Sequence, residues 1–443
     1  MTTGSQLQEL ETRLHGRSAT VGVIGLGYVG LPLAVAVARA GFRTIGIDTD
    51  PSKPEQLNAG QSYIDAVDST ELARLVAEGR FRATTDDRQL EVCDVIIVCV
   101  PTPLTSGRDP DLSYIRSTSR IIAEHLRVGQ LVVLESTSYP GTTREVMKPL
   151  LEANGLVSGR DFLLAYSPER EDPGNAEFAT ATIPRVVAGD GPEAAAMVQA
   201  FYGAVVSQVV PVSSMEAAEA VKITENVFRA VNIALVNELK VIYAAMGIDV
   251  WEVIEAAKTK PFGYMPFYPG PGLGGHCIPI DPFYLAWRAR AFDTEARLVE
   301  LAGEINHAMP AQVVDVLVRS LGARLNLALA SARILILGMA YKRNVSDIRE
   351  SPALALMELL KAGGAEVQFH DPHVPLIPPT RRSGGLQGQS SVELSPADYD
   401  AVLIATDHDD IDYDLVFRTS RLVIDTRNVM ARRSLSGAHV VKA

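Results

Sequence analysis

A glycine-rich turn between two short apolar runs commits the N-terminal part of this chain to a parallel α/β fold. Residues 19–25 form an apolar run that leads into Gly25-Leu-Gly-Tyr-Val-Gly30, and a stretch rich in Ala, Val and Leu continues to about Arg39. A second run, residues 44–48, ends in Asp48, eighteen residues after Gly30. Glycines in this context let the backbone approach a pyrophosphate at a helix N-terminus, so the spacing predicts a dinucleotide site.

Asp48 bears on which dinucleotide binds. A carboxylate at the end of the second strand would bind both ribose hydroxyls and repel a 2′-phosphate, which favours NAD over NADP. The alternative is a structural turn followed by an unrelated acid.

Further strands are predicted to end at the same edge of this sheet. Residues 92–100 and 131–137 are apolar runs typical of parallel strands covered on both faces. Residues 163–169 follow the same pattern and bring Glu169 to the edge, where it is either a general base or a capping acid. Cys93 and Cys99 lie in the first of these runs and are interpreted as core residues.

The middle of the chain is predicted to be helical. Residues 215–245 contain no Pro or Gly, which predicts a long helix that connects domains or lines a dimer interface. Lys222 and Asn226 are four apart on one face of it, and they are either oxyanion donors or a surface lysine with its neighbour. Residues 295–321 are a second long helical stretch.

Residues 270–281 carry four glycines and two prolines, which excludes a helix or a central strand. Cys277 lies in this shaped loop. A loop of this kind can expose a thiolate to a substrate, whereas most free cysteines are small buried hydrophobes, so both interpretations stay open on the residues alone.

A second α/β unit begins with the apolar run 333–338, and Ser351-Pro352 opens its first helix. Strands are predicted at 366–371, 401–406 and 422–425. The loop between the first strand and its helix carries Lys342, Arg343 and Arg349, which either bind a phosphate or are solvated charges. The predicted fold class is therefore α/β, with two Rossmann-like α/β domains joined by a helical central domain with a long connecting helix.

Composition narrows the classes of partner. The chain has 443 residues and a net charge of −12, so we expect no nucleic acid partner. Three cysteines without metal-type spacing suit a reducing cytoplasm and predict no metal. The polar N-terminus is neither a signal peptide nor an anchor, and no run is long enough to span a membrane.

Taken together, the motifs resemble the UDP-glucose/GDP-mannose dehydrogenase family of nucleotide-sugar 6-dehydrogenases. The similarity runs from Val21 to about Asn428, in the order and spacing of these motifs: Gly25 to Pro32, Glu135-Ser-Thr, Ser167-Pro-Glu169, Lys222-Ile-Thr-Glu-Asn226, Gly274 to Asp281 and Ala340 to Ser351. The resemblance implies NAD-dependent, four-electron oxidation of the C6 hydroxyl of a nucleotide-linked hexose to the uronic acid.

The resemblance also implies a role for each site residue. Cys277 would form a thiohemiacetal and then a thioester, Lys222 and Asn226 would stabilise oxyanions and also contact the substrate, Asp281 with Thr137 would hold water, and Glu169 would contact the substrate and act as the base for hydrolysis. The implied cofactor contacts are Gly25, Gly27, Tyr28, Val29, Gly30, Asp48, Lys53, Val100, Thr102, Ser136 and Arg349. The implied substrate contacts further include Tyr268, Gly270, Gly272, Gly274 and Lys342.

The implied domains are an N-terminal tail (1–16), an NAD-binding Rossmann-like domain (17–212), a central helical dimerisation domain with the cysteine loop (213–322) and a C-terminal domain that binds the nucleotide sugar (323–443). A homodimer is expected. The residues after Glu169 and before Cys277 resemble the branch that takes UDP-N-acetylhexosamines, while relatives in antibiotic-sugar pathways accept UDP- or dTDP-glucose. The competing function is a two-electron, hydroxyacid-type NAD dehydrogenase of the same architecture, which has no use for Cys277.

Overall fold

The computed structural model describes residues 3–64, 66–105, 107, 109–170, 181–275, 280–380 and 382–443, without the side chains of residues 3–5. These residues divide into two compact units. The first comprises Met1–Glu225 with Trp287–Thr294, and the second comprises Asn226–Ala286 with Glu295–Ala443.

The first unit is built on an eight-stranded sheet with the strand order β3-β2-β1-β4-β5-β6-β7-β8. Its neighbouring strands are parallel except for β6 and β7, which pair antiparallel. All four residues of β4, β5 and β6 are buried, as expected for parallel strands covered on both faces. The strands are β1 (Thr20–Ile24), β2 (Arg43–Ile47), β3 (Phe81–Thr84), β4 (Val95–Val98), β5 (Leu131–Leu134), β6 (Leu163–Tyr166), β7 (Arg185–Gly189) and β8 (Val209–Pro211).

Among the described residues, seven α-helices lie wholly in the first unit and an eighth begins in it. The helices are α1 (Thr3–His15), α2 (Gly30–Arg39), α3 (Ser52–Asn58), α4 (Ser69–Ala77), α5 (Ser113–His125), α6 (Lys148–Leu151), α7 (Pro192–Gly203) and α8 (Met215–Ala245). The division between the units falls within α8. Helix α1 occupies the segment expected to be a tail, and it is ordered because Leu10 and Leu14, four residues apart on one face, are buried in the core of this unit.

The second unit contains a five-stranded parallel sheet with the order β10-β9-β11-β12-β13. Ser351 caps its helix α12 by accepting a hydrogen bond from the Ala353 N–H, and Pro352 occupies the first turn. The remaining elements are α9 (Val250–Ala257), α10 (Asp281–Arg290), α11 (Arg297–Leu325), β9 (Arg333–Leu337), α12 (Pro352–Ala362), β10 (Glu366–His370), β11 (Ala401–Ile404), α13 (Tyr413–Thr419), β12 (Val423–Asp425), α14 (Val429–Arg432) and β13 (Val440–Lys442).

The predicted fold class is confirmed, with one mainly parallel and one fully parallel Rossmann-like sheet and a helical middle. The long helix predicted over 215–245 is α8, and the stretch predicted over 295–321 is α11. None of the described helices is both long and apolar enough to cross a bilayer. Among the described side chains, no cluster of His, Cys, Asp and Glu is arranged to hold a metal ion.

Candidate active site

The three glycines of the first turn have different surroundings. A Cβ at Gly25, whose φ is +90°, would lie 2.5 Å from the Cys99 carbonyl oxygen, and one at Gly30 would lie 1.8 Å from the Gly25 carbonyl oxygen. A Cβ at Gly27 would meet no described atom within 4 Å. Gly25 and Gly30 are therefore needed for packing, whereas Gly27 leaves space beside the N-terminus of α2, where a pyrophosphate would fit.

Asp48 follows β2 directly and is held by neighbours on both oxygens. Its Oδ2 accepts hydrogen bonds from the Leu26 N–H and from the Lys53 ammonium, each at 2.8 Å, and its Oδ1 accepts from the Asp50 N–H at 3.1 Å. These contacts hold the carboxylate and Lys53 together at the carboxyl end of β2, and their predicted contact with the adenosine ribose stays a prediction.

Tyr63 is a contributor to this turn that the sequence motifs did not indicate. Its hydroxyl donates a hydrogen bond to the Leu26 carbonyl at 2.6 Å. Burial and the nearby Asp48 raise the pKa of Tyr63, so the phenol stays protonated and remains a donor.

The predicted nicotinamide-side residues lie at the carboxyl ends of β4 and β5. The Ser136 hydroxyl donates to the Val100 carbonyl at 2.8 Å and so ties the two strand ends together. Thr102 is buried and Thr137 is half-buried in the loops that follow. On the glycine turn, Tyr28 and Val29 are half-buried and pack against the core.

Glu169 and Lys222 form a buried ion pair in the first unit. The Lys222 ammonium lies 3.0 Å from Oε2 of Glu169, and both side chains are almost fully buried. This burial is inconsistent with a surface lysine. A buried amine and carboxylate in contact can exchange a proton, which is a capacity that acid–base chemistry requires.

Glu219 lies one turn before Lys222 on α8 and was not indicated by sequence reasoning. It accepts hydrogen bonds from the Gly141 N–H at 2.5 Å, the Thr143 N–H at 2.8 Å and the Thr143 hydroxyl at 2.6 Å. Burial raises the pKa of Glu219 to about 7 despite these donors. The residue anchors the loop that follows Thr137 to the helix that carries Lys222.

The acid of the Glu135-Ser-Thr motif has a structural partner. The Arg185 guanidinium binds both oxygens of Glu135, at 2.9 and 3.0 Å, and the Tyr202 hydroxyl donates to the same carboxylate. Burial and the adjacent Glu135 raise the pKa of Tyr202. This fully buried cluster links β5, β7 and α7 beneath the strand end that carries Ser136.

In the second unit, Asn226 and Asp281 are in direct contact. The Asn226 side-chain amide donates to Oδ2 of Asp281 at 2.5 Å, and both residues are buried. Asp281 is the first residue of α10. Cys277, four residues earlier, lies outside the described residues.

Glycines of the cysteine loop lie against buried polar groups. The Gly270 N–H donates to Oδ1 of Asn237 at 3.0 Å, and the Asn237 amide donates to Oδ1 of Asn306 at 2.9 Å. A Cβ at Gly270 would lie 2.7 Å from the Arg427 guanidinium. The sequence motifs did not indicate Asn237, Asn306 or Arg427 as contacts of this loop. The only sequence signal for the two asparagines was their occurrence on otherwise apolar helix faces.

The following glycines pack on the second unit's own segments. Gly272 has a φ of +135°, which only glycine adopts readily. A Cβ at Gly274 would lie 2.6 Å from that of Tyr341, and the Gly275 N–H donates to the Arg349 carbonyl at 2.9 Å. The part of the loop that immediately precedes the cysteine therefore rests on the loop between β9 and α12.

Tyr268 lies just before the glycine-rich loop and is an exposed aromatic residue. Its ring stacks on Trp251 with the ring centroids 5.6 Å apart, and its hydroxyl donates to Glu255 at 2.7 Å. This hydrogen bond raises the pKa of Tyr268. The stacked pair presents a flat aromatic face of the kind that packs against a nucleobase.

The three cations between β9 and α12 differ in their contacts. Arg349 binds Asp347 through two nitrogens at 2.7 to 3.0 Å, and Arg343 pairs with Asp409. Lys342 is half-buried. The predicted roles of Arg349 toward the cofactor and of Lys342 toward the substrate stay predictions.

Comparison with known proteins agrees with this arrangement. The chain matches the UDP-glucose/GDP-mannose dehydrogenase family in its NAD binding domain over residues 19–206, its central domain over 216–308 and its UDP binding domain over 335–432. It is 35% identical to the UDP-N-acetyl-D-mannosamine dehydrogenase of Pyrococcus horikoshii, over 93% of this chain and 96% of that protein.

A second relative is the UDP-N-acetyl-D-glucosamine 6-dehydrogenase of Pseudomonas aeruginosa, which is 38% identical over 80% of this chain and 83% of that protein. The solved structure of the Pyrococcus horikoshii enzyme superimposes with a TM-score of 0.85, at 34% identity over 96% of this chain and 98% of that one. The chain therefore belongs to the UDP-glucose/GDP-mannose dehydrogenase family and is an NAD-dependent nucleotide-sugar 6-dehydrogenase.

Proposed function

We propose that the substrate is a UDP-N-acetylhexosamine, whose C6 hydroxyl is oxidised to the carboxylate in two NAD⁺-dependent steps. The observation that carries this proposal is the similarity, over most of the chain, to two dehydrogenases named for UDP-N-acetylhexosamines. UDP-glucose and dTDP-glucose are the alternative substrates.

The second oxidation is proposed to run through Cys277. Attack of its thiolate on the C6 aldehyde forms a C–S bond and an oxyanion, which becomes a thioester when C6 gives up a hydride. Water then cleaves the C–S bond, which releases the acid and restores the thiol. NAD⁺, when bound, supplies the hydride acceptor for each oxidation.

The described side chains support the other roles. Lys222 and Asn226 are buried donors suited to stabilise an oxyanion, because hydrogen bonds to a developing charge are strongest away from water. Glu169, in contact with the Lys222 ammonium, is proposed to accept the proton of the water that hydrolyses the thioester. Asp281 and Thr137 are proposed to hold that water.

Counting NADH per sugar tests the proposal directly. The enzyme should give two NADH per sugar, whereas a two-electron hydroxyacid-type dehydrogenase gives one and an NAD-binding protein without activity gives none. The sugars to compare are UDP-N-acetylglucosamine, UDP-N-acetylmannosamine, UDP-glucose, dTDP-glucose and GDP-mannose. A kcat/KM that is highest for UDP- or dTDP-glucose would refute the proposed substrate.

Two variants test the covalent route. Cys277→Ser should lower turnover by orders of magnitude, because a hydroxyl is hardly ionised at neutral pH. Glu169→Gln should let a thioester accumulate on Cys277, visible as added mass on the intact protein. Cys93→Ser is the matched control: burial raises the pKa of Cys93 to about 12, so this thiol is inert and its replacement should leave the NADH count at two.

Near-normal turnover in Cys277→Ser would contradict the covalent route. Lys222→Ala should also slow turnover severely, by about 3–4 kcal/mol in the barrier for a lost oxyanion donor.

The protein is further proposed to act as a homodimer in the cytoplasm. From Phe228 onward, helix α8 exposes large apolar side chains that a second copy would cover: Phe228, Leu235, Val241 and Ile242. Sedimentation at micromolar concentration should give a dimer, and a monomer under turnover conditions would contradict it. The cytoplasmic location rests on the sparse cysteines.

A further inference from the structure

A buried aspartate–histidine pair lies at the carboxyl edge of the second sheet, outside the proposed catalytic machinery. Nε2 of His408 lies 3.1 Å from Oδ2 of Asp371, and both side chains are almost completely buried. Asp371 follows β10 and His408 follows β11, so the two residues come from neighbouring loops on either side of β9.

The other ring nitrogen fixes the tautomer of His408. Its Nδ1 lies 3.0 Å from the backbone nitrogen of Asn344, and a backbone N–H can only donate. Nδ1 is therefore the unprotonated nitrogen, and Nε2 carries the proton that it donates to Asp371. The imidazole thus links the two segments: it donates to the Asp371 carboxylate on one side and accepts from the β9–α12 loop on the other.

The bond from His408 secures one end of the turn that carries Lys342. Asn344 adopts a φ of +58°, which non-glycine residues rarely do, and exchanges two hydrogen bonds with Asp409 at 2.6 and 2.9 Å. At the other end, the Thr406 hydroxyl donates to the Ala340 carbonyl at 2.7 Å. Lys342 lies between these two anchors.

We propose that His408 is a positioning residue for the substrate: its Nδ1 holds the Asn344 turn so that Lys342 meets the nucleoside diphosphate. The proposal rests on the proposed function, in which Lys342 contacts the nucleotide. It is consistent with the UDP binding domain match, which spans residues 335–432. His408 itself need not touch the ligand.

Two substitutions of His408 distinguish the role of Nδ1 from that of Nε2. His408→Asn places an amide oxygen near the position of Nδ1 and can still accept from Asn344, whereas His408→Gln reaches toward Asp371 and leaves the Asn344 N–H without its acceptor. Both remove the same ring from the same buried place. A purely structural role of His408 would make the two variants equally defective.

The experiment measures UDP binding by calorimetry on the full chain, together with KM and kcat for the sugar nucleotide and for NAD⁺. We expect His408→Gln to raise the Kd for UDP by at least about tenfold, as for a buried donor that has lost its partner. His408→Asn should stay within about threefold of the wild type. The KM for the sugar nucleotide should follow the Kd, while the KM for NAD⁺ stays unchanged.

His373→Asn is the matched control. The His373 ring packs against that of His408 at a tilt of 46°, with the ring centroids 4.8 Å apart, and it pairs with Asp410 rather than with the turn. Its substitution should leave UDP binding unchanged. Equal Kd values for the Asn and Gln variants of His408, or an equal rise in the KM for NAD⁺, would overturn the proposal.

The binding assay needs no turnover, so it separates this inference from the proposed function. If the enzyme gives two NADH per sugar and UDP binding is indifferent to His408→Gln, the positioning role is wrong and the function stands. If UDP binding depends on His408 as expected and the NADH count is not two, the positioning role stands and the proposed function is wrong.

Discussion

An aspartate follows the second strand of each unit's sheet directly, and the two carboxylates differ in how many of their acceptor sites the protein itself uses. Asp48, after β2, accepts two backbone N–H bonds and contacts a lysine, and its side chain is 8% exposed. Asp371, after β10, is 2% exposed and accepts five hydrogen bonds. Its donors are the N–H groups of Met339, Ala340, His373 and Val374 and the His408 ring.

The difference shows how one fold serves two purposes. The glycine turns that follow β1 and β9 are alike. A Cβ at Gly338 would lie 2.3 Å from the Thr406 carbonyl oxygen, much as a Cβ at Gly25 would contact the Cys99 carbonyl oxygen. In the second unit, however, groups of the protein itself already donate to the carboxylate oxygens of Asp371, which a ribose diol would otherwise bind. Asp371 is therefore part of the framework, and Asp48 is left as the acid for a dinucleotide.

The largest effect should come from removing the enclosed carboxylate. Asp371→Ala leaves several buried donors without acceptors, and we expect the free energy of unfolding of the second unit to fall by about 3–5 kcal/mol. Denaturant titration followed by a probe in that unit measures it. Asp48→Ala is the control and should cost about 1 kcal/mol or less in the first unit. Equal losses of unfolding free energy in the two variants would contradict the proposed difference between the two acids.

The carboxylate after β2, Asp48, should instead govern cofactor choice. We expect the wild type to prefer NAD⁺ over NADP⁺ by at least about tenfold in kcat/KM, or about 1.4 kcal/mol, because Asp48 faces the 2′-phosphate position. Asp48→Ala should narrow this gap mainly by weakening NAD⁺. Steady-state kinetics with both cofactors provide the measurement, and equal use of the two by the wild type would contradict the assignment.

The contrast extends to the pH dependence of stability. Burial raises the pKa of Glu219 in the first unit to about 7, so its contribution to stability is complete below about pH 4.5 and is lost as the pH rises through 7. Burial alone would raise the pKa of Asp371, but the His408 and backbone donors lower it below its usual range, so its contribution is lost only in acid. Glu219→Gln should remove the neutral-range slope.

Melting temperatures between pH 5 and 8 test this point. The wild-type first unit should lose a few degrees across that range, at about 2–4 °C per kcal/mol for a unit of this size, and Glu219→Gln should lose less. A slope that persists in Glu219→Gln would assign the titration to another group.

The smallest effect concerns the hydroxyls that hold the two turns. Tyr63 donates to the Leu26 carbonyl in the first unit, and Thr406 donates to the Ala340 carbonyl in the second. Tyr63→Phe should weaken NAD⁺ binding by about fivefold, the value of one hydrogen bond, and leave UDP binding unchanged. Thr406→Val should do the reverse. Calorimetry with each ligand distinguishes them, and a loss of both ligands in either variant would contradict the separation.

Local patterns sufficed for much of the fold. The glycine turn at Gly25 and the helix α8 could be predicted because backbone freedom and the absence of Pro and Gly act within a few residues. The antiparallel strand β7 and the shared carboxylate of Glu135 could not, because Arg185 and Tyr202 lie 50 and 67 residues away in sequence.

In the candidate site, too, some features follow from short sequence motifs and others depend on tertiary packing. Lys222, Asn226, Glu169 and Asp281 were predicted from motifs, but their contacts, Lys222 with Glu169 and Asn226 with Asp281, depend on tertiary packing. Glu219 and His408 belong to no short pattern, since each acts on a backbone N–H of a distant loop. The role of Cys277 stays a prediction.

The open space beside Gly27 offers a way to separate folding from catalysis. A methyl group there meets no described atom within 4 Å and needs no unusual backbone angle, yet it would occupy the approach of the pyrophosphate. Gly27→Ala should therefore give an enzyme that folds but does not bind the cofactor. Such a protein would hold the unreacted sugar nucleotide indefinitely, so that crystals or spectra could record the intact substrate with Cys277 still in place.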